Sequence, residues 1–97
     1  MYEAKKVDEF NSDIDFNLSI THKAIKSFND AIRFIDSAIN IQPKNQIYKI
    51  LKADILVESF QNEVAKKLLL NLEFPNDSLL YFQREILISK LYILSLI

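Results

Sequence analysis

Residues 28–45 read FNDAIRFIDSAINIQPKN, and this stretch sets small and large apolar residues at helical spacing before it stops. Phe28, Ala31, Ile32, Ile35, Ala38 and Ile39 recur three or four residues apart and share one face, while Asn29, Arg33, Asp36 and Asn40 take the other. Pro43 lacks the backbone N–H that further helix would need, so the spacing predicts a helix over 28–41. Small residues at Ala31 and Ala38 mark it as a helix that packs against another.

Working upstream, Ser27 can cap this helix, with Asp30 three residues on as a weak capping box. Ser12 or Asp13 can cap an earlier helix running to about Ile25, with Ile14, Leu18, Thr21 and Ile25 on its apolar stripe. The alternation of Ile14, Phe16, Leu18 and Ile20 also suits a strand, but one isolated strand would have nothing to pair with. Without a turn near Lys26 and Ser27, the same spacing serves one long helix over 12–41. Residues 2–11 read as a short charged leading helix.

Working downstream, Gln46–Glu58 is apolar around most of its circumference, with Lys49 and Lys52 as a narrow polar edge, so it should be sandwiched between neighbours. Asn62–Leu72 turns Val64, Ala65, Leu68, Leu69 and Leu72 inward, and Phe74 to Asp77 ends it. Ser78 caps a last helix that runs toward Ile97. The expected fold is all-α: a charged lead segment over 1–11, antiparallel hairpins over 12–45 and 46–77, and an apolar terminal helix over 78–97, about five helices in one domain.

Composition narrows the function. The 97 residues are 49% hydrophobic, enough for a core. There is no glycine, which excludes glycine-rich phosphate loops and the nucleophile elbow, both of which need backbone that only glycine allows. A net charge of -1 gives no clustered basic footprint for nucleic acid. The absence of cysteine removes disulfides and thiolate metal sites and fits a reducing compartment. The opening MYEAKKVDEF has no apolar segment of a secretory signal, so a cytoplasmic chain is expected and the glycosylation triplets at 17–19 and 76–78 read as chance.

Few residues could carry chemistry. Asp15, Ser19 and His22 share a helix face at triad-like spacing, but a mid-helix serine has no free backbone N–H beside it for an oxyanion. His22 with Lys26 is a loose match to a phosphotransfer histidine. Asp13, Asp15 and Asn17 alternate like the start of a calcium loop, yet Leu18 stands where the bend needs glycine and no Glu closes it. Asp54 and Glu58, one turn apart, could raise one another's pKa or pair with a lysine. No enzyme, metal or cofactor is expected.

The last helix carries a stronger signal. Leu79, Leu80, Phe82, Ile86, Leu87, Leu91, Ile93, Leu94 and Ile97 cover most of its circumference, with Tyr81, Arg84, Glu85, Ile88, Tyr92 and Ser95 as the remaining strip. Gln83 and Lys90 fall within the apolar side. Arg84, Glu85 and Lys90 would each cost about 2.5–3.5 kcal/mol at a bilayer centre, which argues against membrane contact as its role. The helix is either core or a surface for another chain, and Gln83, Leu87, Lys90, Leu91 and Leu94 are the candidate self-association residues.

The residues together resemble the tetratricopeptide repeat family. Phe16, Asn17, Leu18 and Ser19 resemble its first helix, and Phe28, Ala31, Ile35, Ala38 and Pro43 its second, covering roughly 13–45. A degenerate second unit matches at Tyr48, Leu51, Ala65, Leu69 and Pro75, with the proline two residues early. His22 stands in place of an aromatic, Asp15 in place of Trp, and Lys26 where glycine often turns the chain. Ordinary helix packing also produces such spacing, so a generic bundle stays open. The resemblance implies a protein–protein interaction module, an adaptor, chaperone or assembly subunit, binding an apolar peptide or helix in a groove that Phe16, Ile20, Lys23, Ile50, Asp54 and Val57 would face. The alternative is a structural homodimer assembled through the C-terminal helix.

Overall fold

The computed structural model describes residues 2–72 and 78–96, the side chains of residues 2–10, 78 and 95 excepted. It is all-α among these residues: α1 (Tyr2–Ala24), α2 (Phe28–Ile41), α3 (Gln46–Glu58), α4 (Asn62–Leu70) and α5 (Ser78–Ser95). α1 packs on α2 and α3 on α4 as hairpins, α2 also packs on α3 and α4 on α5, and α3 touches both α1 and α5. The first helices α1, α3 and α5 therefore form one layer and the second helices another, in a slab of 51 × 32 × 18 Å.

The two hairpins turn in the same way. The Lys26 N–H donates to the Lys23 carbonyl (3.0 Å) and the Ser27 N–H to that of His22 (2.8 Å). In the second hairpin the Phe60 N–H donates to Val57 (3.1 Å) and the Gln61 N–H to Leu56 (2.9 Å). This bond pair is the Schellman closure, which needs one left-handed residue. Lys26 (φ 63°) and Phe60 (φ 64°) supply it without glycine, at about 1 kcal/mol each. Every matched position is 34 residues apart, Lys26 with Phe60, Ser27 with Gln61, Ala31 with Ala65 and Ile35 with Leu69, so the chain repeats one structural unit.

The turn at 25–27 resolves the choice between one helix and two over 12–41 in favour of two. Ser27 occupies the N-cap of α2 as expected, but its hydroxyl donates to the Asp30 carboxylate (2.9 Å) in place of accepting from the helix. α2 buries Ala31, Ile35 and Ala38, which pack with Tyr48 and Ile55 of α3. α3 is covered on several sides, as its all-round apolarity predicts, and its start is held by the Asn45 carboxamide oxygen, which accepts from the N–H groups of Ile47 and Tyr48 (3.0 and 3.4 Å). Ile50, Ala53, Leu56 and Val57 form a second cluster with Ala65, Leu69 and Leu72 and with Leu87 of α5. The proposed ending of α4 over Phe74 to Asp77 lies outside the described residues, and Val64, expected inside, is 52% exposed.

α1 departs most from expectation. It runs unbroken through residues 11–13, so neither Ser12 nor Asp13 caps it. Its face is also reversed: Ser12 and Ser19 are fully buried, while Ile14, Leu18 and Ile25 of the expected core stripe are exposed. Each serine is satisfied where it sits. Ser12 shares a 2.6 Å hydrogen bond with the Tyr48 hydroxyl, and the Ser19 hydroxyl donates to the Ala31 carbonyl at 2.8 Å. Small polar side chains let α1 approach α2 and α3 closely, and the hydrogen bonds remove the penalty for burying them.

Candidate interaction surfaces on the first-helix layer

The residues expected to face a groove meet where α1 crosses α3. Phe16 lies on Tyr48 with ring centroids 5.1 Å apart. Two turns further along α1, Lys23 contacts Asp54 at 2.8 Å and Glu58 at 3.3 Å. The like-charged pair Asp54 and Glu58 is thus bridged by one lysine from the neighbouring hairpin. Ile20, between Phe16 and Lys23 on α1, is 43% exposed. Ile50 and Val57 are buried in the core beneath this surface, and each also lines a depression between α3 and α5.

Burial alone would lower the pKa of Lys23, but its hydrogen bond to Asp54 and the charges of Asp54 and Glu58 outweigh that and raise it above 10.5. A raised pKa in the folded state stabilises fully below the unfolded value and loses that contribution as pH climbs through the folded one. Lys23→Met is therefore expected to lower stability by about 0.5–1 kcal/mol at neutral pH, a figure discounted for solvent screening. The gap to wild type should close only above 10.5. Urea midpoints of both proteins across the alkaline range check this, and a gap that stays constant there would remove the ion pair as its cause.

Between α3 and α5 the layer opens into a groove of about 330 Å³, lined by Ile47, Leu51, Asp54, Gln83, Ile86 and Lys90 among others. Ile47 is 52% exposed at its edge. Sequence reasoning placed Asp54 in a partner groove and Gln83 and Lys90 in a self-association surface; all three line this one groove. Ile47 was passed over because it counted as one more residue of an all-round apolar helix.

α5 divides the apolar side that the sequence marks: Leu80, Leu87, Leu91 and Leu94 pack inward, while Leu79, Phe82, Ile86 and Ile93 do not. The strip holding Arg84, Glu85 and Ile88 faces inward, where the Arg84 guanidinium donates to the Leu72 carbonyl (2.9 Å) and pairs with Glu85 (3.1 Å). Leu87 is buried and Leu91 and Leu94 pack against the core, so these three candidates for self-association serve the chain's own interior. Gln83 and Lys90 are exposed, which spares Lys90 the cost of burial. Leu79, Phe82, Ile86 and Ile93 are 57–67% exposed and form an apolar face of their own.

The chemistry-bearing candidates are occupied in other ways. The Ser19 proton is committed to Ala31, and the His22 ring stacks on Phe34 with centroids 5.2 Å apart. The His22 Nδ1 atom is buried without a hydrogen-bond partner. Among the described residues no three of His, Asp and Glu gather in a way that could hold a metal ion, and no helix is long and apolar enough to cross a membrane. No family model, curated protein or solved structure matches the chain.

Proposed function

We propose that the chain is a non-enzymatic protein–protein interaction module of the tetratricopeptide-like kind, working in the cytoplasm as an adaptor, chaperone or assembly subunit. The observation that carries this reading is the repetition of one hairpin at a 34-residue interval, with first helices side by side and an open groove on their layer. Thirty-four residues is the period of that repeat class. The groove floor is apolar at Ile50, Leu51 and Leu87, with Ile47 and Ile86 at its edges beside Asp54 and Lys90, a lining suited to an amphipathic helix with apolar anchors and a polar back.

The test is a peptide-display selection against the intact chain, followed by binding of the selected peptides to Ile20→Asp and Ile47→Asp. Both positions are exposed, so circular dichroism should show an unchanged helical fold, while affinity should fall at least about 10-fold for a peptide seated on apolar anchors. Selected peptides that bind both variants as tightly as wild type would place the binding surface elsewhere and remove the groove from the reading.

A further inference from the structure

We propose that the groove between α3 and α5 takes an amphipathic helix carrying an acidic side chain midway between two apolar anchors, the acid meeting Lys90 and the anchors filling the depressions on either side of it. This rests on the interaction-module reading above and adds the chemistry of the partner.

Lys90 divides the groove. The depression of about 330 Å³ has Leu51, Ile86 and Lys90 in its lining, and a second of about 280 Å³ has Val57, Phe60, Ile93 and again Lys90. Ile86 and Ile93 are seven residues apart, which sets the two depressions about 10.5 Å from one another along α5, two turns of helix. Apolar residues seven apart on a docked helix reach both, with a residue midway between them level with Lys90. An extended segment is a poorer occupant. Both walls are helices whose backbone groups are bonded within the helix, so they offer no strand edge for it to pair with.

The charges on the two walls decide what stands at that midpoint. On the α3 wall, Asp54 and Glu58 both contact the Lys23 ammonium, at 2.8 and 3.3 Å. On the α5 wall, Lys90 is exposed and forms no ion pair among the described residues. The acids of the groove are thus taken up by α1, and the α5 wall keeps one uncompensated positive charge between two apolar depressions. A carboxylate supplied by the occupant matches it, whereas a lysine or arginine there would meet like charge while being drawn out of water.

Phe60 adds a second observation at the far depression. It is the left-handed residue of the second hairpin turn (φ 64°), a position at which glycine or asparagine would avoid the steric cost. Its counterpart in the first turn, Lys26, is polar. Phe60 instead carries an aromatic ring that is 74% exposed and lines the depression. A large ring held in water on strained backbone gives the fold nothing that glycine would not, and it enlarges the apolar surface that an anchor would meet.

The test is selection from a helix-biased peptide library, in parallel on wild type and on Lys90→Glu. Lys90→Glu should leave helicity unchanged, because the side chain is exposed and holds no ion pair. Wild type should yield peptides with Asp or Glu midway between apolar residues seven apart, and Lys90→Glu should yield Lys or Arg there. In one wild-type peptide, changing that acid to Lys should weaken binding to wild type about 10-fold and strengthen binding to Lys90→Glu. The difference should shrink near 1 M salt, where the screening length falls to about 3 Å. Phe60→Gly should weaken the same peptide about 10-fold without lowering the melting temperature. The proposal is overturned if both chains select the same central residue, or if Phe60→Gly leaves affinity unchanged. It is also overturned if Lys90→Glu weakens the acidic and basic peptides alike, because the ammonium then serves the chain's own carboxylates. Peptides that lose affinity for Ile47→Asp yet give any of these results leave the groove reading standing; peptides indifferent to Ile47→Asp, or no peptides at all, remove both.

Discussion

Ser19→Leu is expected to destabilise the fold by about 3 kcal/mol or more, although it places an apolar residue in a helix that is short of them. Ser19 is fully buried where α1 crosses α2, and its hydroxyl lies 2.8 Å from the Ala31 carbonyl. A leucine there carries two more heavy atoms than the serine it replaces and removes the hydrogen bond. Overpacking of a close crossing typically costs about 1–3 kcal/mol, and loss of the bond adds about 1 kcal/mol. The paired control is Leu18→Ser, one residue away and 36% exposed, for which a loss below about 1 kcal/mol is expected. Chemical denaturation of both variants decides the matter. If Leu18→Ser were the more damaging, α1 would present the face that its hydrophobic periodicity suggests and not the one seen here.

That pair of positions marks where the sequence was legible and where it was not. α2 could be read completely, from Phe28 to Ile41 with Ala31, Ile35 and Ala38 inside, because its apolar and polar residues separate cleanly and Pro43 stops it. α3 was equally legible in extent, and its burial followed from having no polar side wide enough to face water. α1 was misread because its buried contacts are serine hydroxyls bonded to Tyr48 and Ala31, partners in other helices that periodicity within α1 cannot reveal. α5 was misread for the related reason that an almost uniformly apolar helix does not say which side is inside. The deciding interaction is Arg84, whose guanidinium reaches the Leu72 carbonyl at the end of α4 and so turns a charged strip inward. The candidate groove was half legible: Lys23 and Asp54 were assigned to facing helices, and their 2.8 Å contact joins those helices, whereas Ile47 became visible only once α5 was placed beside it.

Leu87→Asp should be the most damaging single substitution on α5, costing about 4 kcal/mol or more and unfolding the second hairpin together with α5. Leu87 is 5% exposed and is the α5 side chain that enters the cluster of Ile50, Ala53, Leu56, Val57, Ala65, Leu69 and Leu72. Removing it forfeits burial and cavity terms of about 2–5 kcal/mol, and the substituted carboxylate must either be desolvated without a partner or be protonated. The contrast with its sequence neighbour gives the prediction its force, since Ile86→Asp is expected to change monomer stability by less than about 0.5 kcal/mol because Ile86 is 57% exposed. Adjacent residues of one helix thus separate two positions that the apolar composition of α5 leaves merged: Leu87 holds the helix to its own chain, and Ile86 stands exposed at the groove beside α3. Thermal melts of the two variants measure this directly, and equal loss of stability in both would mean that α5 is anchored through the face that stands exposed here.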